Sequence, residues 1–393
     1  MSQCNKFICK VLMIGMTILS VPTEVFAETP IKGFQSESYI LMEASSGKIL
    51  LEHNSNEQLP PASITKVMTM LLIYEAVESG KIGWDDEVTI SEYASQMGGS
   101  QVFMEPGEIQ TVRDLLKCIA IASANDAAVA MGEYIAGSED GFADLMNKKA
   151  QELGMKNTVF KNPCGLHRDG HVSTANDIAL LSRELMTRFP EISKILTIWM
   201  DSITHKTRRG ESEFGLTNTN RLVKAYTGIT GLKTGYTSQS KHCITATANR
   251  NNMDLIAVVL AAPDSKVRFR EAAQLLDYGF ANYVVKQGHK ADNILGQSPV
   301  FKGDKEQLEY TIKDTMSIVL PKDKANVDIS HKVVLTPNLT APIRKGDSVG
   351  TITYLIGEEK VGEMPLVAAF DVNKAKYNHM VKYMFRSFFK LSS

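Results

Sequence analysis

Cysteine is scarce in this chain: its 393 residues hold five. Cys4 and Cys9 lie in an N-terminal segment that reads as a leader, and neither follows the apolar core of that leader as a lipoprotein cysteine must. Cys118, Cys164 and Cys243 remain, an odd and widely spaced set. A disulfide framework needs an even, dense one, so buried free thiols are expected. No CxxC or HExxH pattern is present, and no metal or other cofactor is expected. His167 and His171 are four apart, but Arg168-Asp169-Gly170 between them reads as a loop rather than a ligand-bearing helix. Charge of one sign is also missing. The formal net charge is −1, which gives no support to nucleic-acid binding. No apolar run has the length of a membrane span.

What is present is ordinary globular composition, with 44% hydrophobic and 22% charged residues. The length suggests roughly two or three domains. Lys6 and Lys10, the apolar run Val11 to Leu19 and the small-residue site Val25-Phe26-Ala27 form a secretory signal over residues 1–27. The mature chain is therefore expected to begin at Glu28 and to work outside the cytoplasm.

Tyr39 to Met42 and Ile49 to Leu51 flank Ser45-Ser46-Gly47, a hairpin signal. Pro60-Pro61 precedes the dense apolar stretch from Val67 to Ile73, long enough for a buried helix. Thr111 to Asp114 resembles a capping box. Helical text also runs over Asp126 to Ala136, Gly141 to Leu153 and Thr174 to Met186. Strand text follows in Gly231 to Thr237, Cys243 to Asn249 and Leu255 to Ala261, with a turn at Arg250-Asn251-Asn252 and a helix near Phe269 to Tyr283. Strands at both ends with helices inserted between them predict an α+β layer architecture over residues 28–284. Residues 285–371 read as a small all-β domain, with strands near Met316 to Leu320, Lys332 to Leu335, Val349 to Ile356 and Pro365 to Phe370. Residues 372–393 place Tyr377, Met380, Val381, Met384, Phe385, Phe388 and Phe389 at helical spacing beside five cations, with no acidic residue after Asp371. That pattern suits a helix lying in an anionic membrane interface.

Three short signatures stand in order: Ser63-Ile64-Thr65-Lys66, Ser123-Ala124-Asn125 and Lys233-Thr234-Gly235. Ser-x-x-Lys also occurs at Ser45–Lys48, Ser238–Lys241 and Ser387–Lys390, but only Ser63–Lys66 opens a predicted buried helix. A three-residue step there puts both side chains on one face. A hydroxyl is a weak nucleophile without an adjacent base. Burial and a second cation, which Lys233 could supply, favour the neutral amine that a base requires. Ser123 is placed to relay a proton and Asn125 to bind a substrate amide. Gly235 on a strand permits close approach of an extended peptide, and Lys233 and Thr234 suit a carboxylate.

The three motifs resemble those of the penicillin-recognising serine enzymes. Pro61-Ala62-Ser63-Ile64-Thr65-Lys66, Ala122 to Ala127 and Gly231 to Thr237 are most similar to the low-molecular-mass D-alanyl-D-alanine carboxypeptidases, and the likeness spans nearly the whole mature chain. The resemblance implies a β-lactamase/transpeptidase-like domain, an antiparallel five-stranded sheet with helices on both sides, followed by the β-domain and amphipathic tail. It implies that Ser63 attacks the bond between two terminal D-alanines of a peptidoglycan stem peptide, Lys66 takes its proton, and Ser123, with Lys233 as a second candidate donor, protonates the leaving amine. It implies that backbone N–H groups of Ser63 and Tyr236 hold the oxyanion, that Thr234 and Arg268 hold the carboxylate, with Arg270 as a neighbouring rival, and that β-lactams are covalent inhibitors. Tyr236 stands where some members carry His.

Three rival readings share these motifs. A β-lactamase of class A uses a glutamate to activate the deacylating water, and no Glu-x-x-Leu-Asn run lies between Ser123 and Lys233. A D,D-endopeptidase would cut cross-links, and a sensor would acylate without turnover. The likeness of the β-domain and tail argues against the endopeptidase, and D-alanine release from a pentapeptide separates the carboxypeptidase from the sensor.

Overall fold

In the computed structural model, residue 31 and residues 33–376 are described. The leader over 1–27 and most of the amphipathic tail therefore lie outside the described residues.

The chain opens with a hairpin of β1 (Ser38–Glu43) and β2 (Ile49–His53). A tight turn over Ala62–Thr65 leads into α1 (Lys66–Glu78). The short strands β3 (Glu87–Thr89) and β4 (Ile109–Thr111) pair around α2 (Glu92–Ser95). Four helices follow: α3 (Val112–Lys117), α4 (Asn125–Ala136), α5 (Glu139–Glu152) and α6 (Ala175–Arg188). After the single turn α7 (Ser193–Leu196), β5 (Met200–Thr207) and β6 (Gly210–Thr217) form a separate hairpin. The short α8 (Leu222–Ala225) precedes β7 (Ile229–Thr237), β8 (Lys241–Arg250) and β9 (Met253–Ala262), and α9 (Ser265–Asn282) closes this part.

The main sheet has five antiparallel strands in the order β2-β1-β9-β8-β7. Chain ends far apart in sequence thus meet in one sheet. Alternation sorts the two faces. Ile40 and Met42 of β1 join Ile256, Val258 and Leu260 of β9 in the core shared with α1, α4 and α6. Leu41 and Leu255 point the other way, close against Gly279 of α9. Helices therefore cover both faces, as the resemblance implies.

Nearly every residue of α1 from Lys66 to Ala76 is buried. A helix that is apolar all round belongs in the middle of a core. The Thr111 cap forms as expected: its hydroxyl accepts from the Asp114 N–H at 3.1 Å and donates to the Asp114 carboxylate at 2.8 Å. The helix α9 starts earlier than the expected Phe269, because Asp264 caps it through the N–H groups of Lys266 and Val267 at 2.7 and 2.9 Å.

The C-terminal strands are β10 (Tyr283–Gln287), β11 (Gly296–Pro299), β12 (Gln307–Ile312), β13 (Ser317–Pro321), β14 (Ser330–Leu335), β15 (Ser348–Ile356) and β16 (Glu359–Ala368). β10 pairs with β13, and a second antiparallel sheet runs β11-β12-β16-β15-β14. Its core, built from Leu308, Ile312, Ile352, Leu366 and neighbours, is separate from the core around α1. Lys48, in the turn between β1 and β2, donates to the Val319 carbonyl of β13 at 3.2 Å and ties the two parts together.

Candidate active site

Ser63 sits in the 3-10 turn that leads into α1. Side chains three apart eclipse in such a turn, and Lys66 Nζ lies 3.0 Å from Ser63 Oγ. The same Nζ is 2.6 Å from Asn125 Oδ1 and 2.6 Å from the Cys164 carbonyl. In the neutral amine, those two carbonyls take both N–H bonds and the lone pair faces the Ser63 hydroxyl. Lys66 is fully buried. Burial pulls its pKa down to about 8, against a partial upward pull from charges that include Asp126.

Ser123 has left-handed backbone with φ +62°. It follows a single π-type turn over Cys118–Ala122 and precedes α4. Such turns recur at functional sites because they re-aim the residues beyond them. Asn125 opens α4, and its carboxamide is occupied on both sides: Oδ1 accepts from Lys66, and Nδ2 donates to the Gly98 carbonyl at 2.6 Å. The amide expected to await a substrate is thus an orienting partner of the lysine in this structure.

β7 is one of the two edge strands of the main sheet. Gly235 packs on the Ser63 turn so tightly that a Cβ there would lie 3.0 Å from Ser63 N and 3.0 Å from the Pro61 carbonyl. The next residue, Tyr236, is 60% exposed and stacks on His242 with ring centroids 4.5 Å apart. Lys233 is buried and donates to the Thr234 carbonyl at 3.3 Å. Burial, and then the charges of Lys66 and Arg268, hold its pKa well below the usual lysine range. For Lys66 itself burial is the leading cause of the lowered pKa. Thr234 Oγ1 donates to Thr219 Oγ1 at 2.8 Å.

Arg268 is buried on α9 and reaches the Gly235 carbonyl at 2.8 Å. Burial lowers its pKa to about 10. Its rival Arg270 turns instead towards Glu271, 3.6 Å away. The structure therefore brings Ser63, Lys66, Asn125, Lys233, Thr234, Gly235 and Arg268 into one connected cluster, with Ser123 beside Asn125 and Tyr236 beside Gly235.

Several participants were not read from the sequence. The loop over 161–171 wraps the nucleophile turn: the Pro163 carbonyl accepts from Thr69 Oγ1 at 2.6 Å, and the Cys164 carbonyl accepts from Lys66. Gly165 adopts φ +84°, and a Cβ there would meet the Ala62 carbonyl at 1.9 Å. His171 Nδ1 accepts from the Lys161 N–H at 3.3 Å, which leaves Nε2–H to donate to Thr65 Oγ1 at 2.9 Å. Burial lowers the His171 pKa to about 4, so it stays neutral. Thr219 is a further partner, whose signal in the sequence was only its place between Asn218 and Asn220. Cys118, Cys164 and Cys243 are free and buried, as expected. Among the described residues no group of three or more metal-binding side chains is present.

A five-stranded antiparallel sheet covered by helices, with a serine–lysine pair beside its edge strand, defines a penicillin-recognising serine enzyme. The chain belongs to the D-alanyl-D-alanine carboxypeptidase family, which matches residues 24–264. The C-terminal domain of penicillin-binding protein 5 matches residues 283–374. The chain is 42% identical over 382 residues to the D-alanyl-D-alanine carboxypeptidase DacF of Bacillus subtilis (strain 168), covering 96% of this chain and 97% of that protein. It is similar to a solved structure of penicillin binding protein 5 from Haemophilus influenzae, with TM-score 0.77, 32% identity, and coverage of 88% of this chain and 100% of that one. Penicillin-Binding Protein D2 from Listeria monocytogenes in its ampicillin-bound form is 32% identical, with TM-score 0.54, over 64% of this chain and 99% of that one.

Proposed function

We propose that this chain is an exported serine-type D-alanyl-D-alanine carboxypeptidase. It removes the terminal D-alanine from peptidoglycan stem pentapeptides through an ester on Ser63, and so acts in cell-wall biogenesis and cell shape. The observation that carries the reading is the buried Lys66 amine 3.0 Å from Ser63 Oγ, with its pKa lowered towards neutrality.

Ser63 Oγ attacks the carbonyl between the two D-alanines while its proton passes to Lys66 Nζ. The oxyanion is held by the backbone N–H groups of Ser63 and Tyr236, where loss of one donor costs about 10²–10³ in rate. The C–N bond breaks, and the leaving amine takes a proton through Ser123 with Lys233 beside it. Water then hydrolyses the ester. The substrate lies along β7 opposite Gly235, with its carboxylate towards Thr234 and Lys233. Arg268 acts on the same carboxylate, and its bond to the Gly235 carbonyl fixes the strand that presents Thr234. Asn125 orients Lys66 and meets the substrate amide as the peptide enters. β-Lactams acylate the same hydroxyl.

Residues 1–27 are the export signal, 28–284 the catalytic domain, 285–371 the β-rich domain, and 372–393 an amphipathic helix that holds the enzyme to the outer face of the cytoplasmic membrane. Separate cores in the two sheets support the domain division. Among the described residues no helix is long and apolar enough to cross a membrane. Ser63→Ala is expected to abolish both D-alanine release and covalent penicillin labelling. Labelling retained by that variant places the nucleophile elsewhere.

A further inference from the structure

Arg268 carries its charge where charge is destabilising. The residue is 8% exposed. Among the described residues no carboxylate pairs with it, and its Nε is buried without a partner. The ring of Phe269 lies 4.8 Å from the guanidinium carbon. A buried cation without a counter-ion weakens a fold, so stability does not account for an arginine here.

The guanidinium holds one particular peptide group. Its Nη1 donates to the Gly235 carbonyl at 2.8 Å and lies 3.3 Å from the Cys243 carbonyl. Gly235 and Cys243 are partners in the ladder between β7 and β8, so the Gly235 carbonyl is turned towards β8. That carbonyl and the Tyr236 N–H are the two ends of one amide. In a planar trans peptide they point in opposite directions. The Tyr236 N–H therefore faces away from β8, off the open edge of β7. The Ser63 N–H is close by, because Gly235 packs directly on the turn that carries it.

A hydrogen bond from a cation to an amide oxygen has two effects on the N–H at the other end. It fixes the plane of the amide. It also draws electron density towards the oxygen, which strengthens the N–H as a donor. Donors aimed in advance at a developing anion need no reorganisation during the reaction.

We propose that Arg268 is a positioning residue of the oxyanion hole: through the Gly235 carbonyl it orients and polarises the Tyr236 N–H that receives the acyl oxygen. The inference rests on the reading of Ser63 as the acylated residue and of the Tyr236 N–H as a donor to its ester. It is separable from a contact with the substrate carboxylate, because it acts equally on ligands that have none.

The test compares second-order acylation rates of the full chain by benzylpenicillin and by its methyl ester, which shares the reacting carbonyl but has no free carboxylate. In Arg268→Gln the rate with the ester is expected to fall about tenfold, part of the loss that follows deletion of a donor. An ester rate unchanged in that variant, with only the acid slowed, confines Arg268 to the carboxylate and overturns the proposal. A second measurement reads only molecules that have folded and reacted: the infrared band of the ester carbonyl in the acyl-enzyme formed with benzylpenicillin isotope-labelled at the β-lactam carbonyl. Hydrogen bonds to that oxygen lower the frequency, so the band is expected to move up in Arg268→Gln. A band that stays at the wild-type position overturns the proposal. Failure of the underlying reading shows separately, as labelling that survives Ser63→Ala or as a wild-type band no lower than that of the denatured acyl-enzyme.

Discussion

Asn125→Asp is a nearly isosteric change that tests how Lys66 is kept neutral. It replaces the carbonyl oxygen 2.6 Å from Lys66 Nζ with a carboxylate oxygen. The wild-type amine titrates at about 8, so about one molecule in ten is neutral at pH 7, against about one in three thousand for an ordinary lysine. An opposite charge at this distance raises the lysine by about one to three units. Acylation at pH 7 should therefore drop about ten- to a thousandfold. Because the loss is one of protonation state, it should be recovered in alkali. Single-turnover acylation by a fluorescent penicillin, followed from pH 6 to 10.5, reads the effect directly. In the wild type the rate should rise about tenfold per pH unit and level near pH 8. In the variant the same limb should move up by one unit or more. A rate reduced equally at every pH, with the inflection unmoved, would refute the assignment of Lys66 as the base whose charge Asn125 governs.

Other outcomes follow from the wall around the nucleophile. His171 is held neutral with a pKa near 4 against its ordinary 6.5; the unfolded chain therefore binds the extra proton first as pH falls. Stability should decline from pH 6.5 to 4 by about 3 kcal/mol, and His171→Gln should flatten that decline in urea unfolding measured at pH 7 and 4.5. Gly165→Ala should destabilise the protein by about 2–4 kcal/mol and depress acylation, because its Cβ would overlap the Ala62 carbonyl beside Ser63; an unchanged urea midpoint would contradict the packing described.

The sequence was most informative where chemistry and periodicity coincide. Ser63, Lys66, Lys233 and Gly235 carry side-chain types, or the lack of one, that only their motif explains, and α1 announced itself by a dense apolar stretch. The hairpin of β5 and β6 did not. Its strands expose most of their length, with Ile203, His205 and Leu216 as its buried residues, so there was no alternation to read. One acceptor of the lysine is the backbone carbonyl of Cys164, and the carbonyl of Gly98 holds the Asn125 amide that supplies the other. Any residue supplies a carbonyl, and only the fold decides where it points. His171 shows the same limit: the sequence argued only against a metal pair with His167, and it took the fold to show that burial and two hydrogen bonds make this histidine a neutral brace.

The position of Ser63 at the mouth of a helix enclosed on every side restricts how this enzyme can change. Substitutions along α1 disturb the centre of the domain together with the reactive hydroxyl, so stability and reactivity are lost together. Tolerated variation is thereby left to exposed side chains at the rim, such as Tyr236 and Met200, which can be exchanged without repacking the interior.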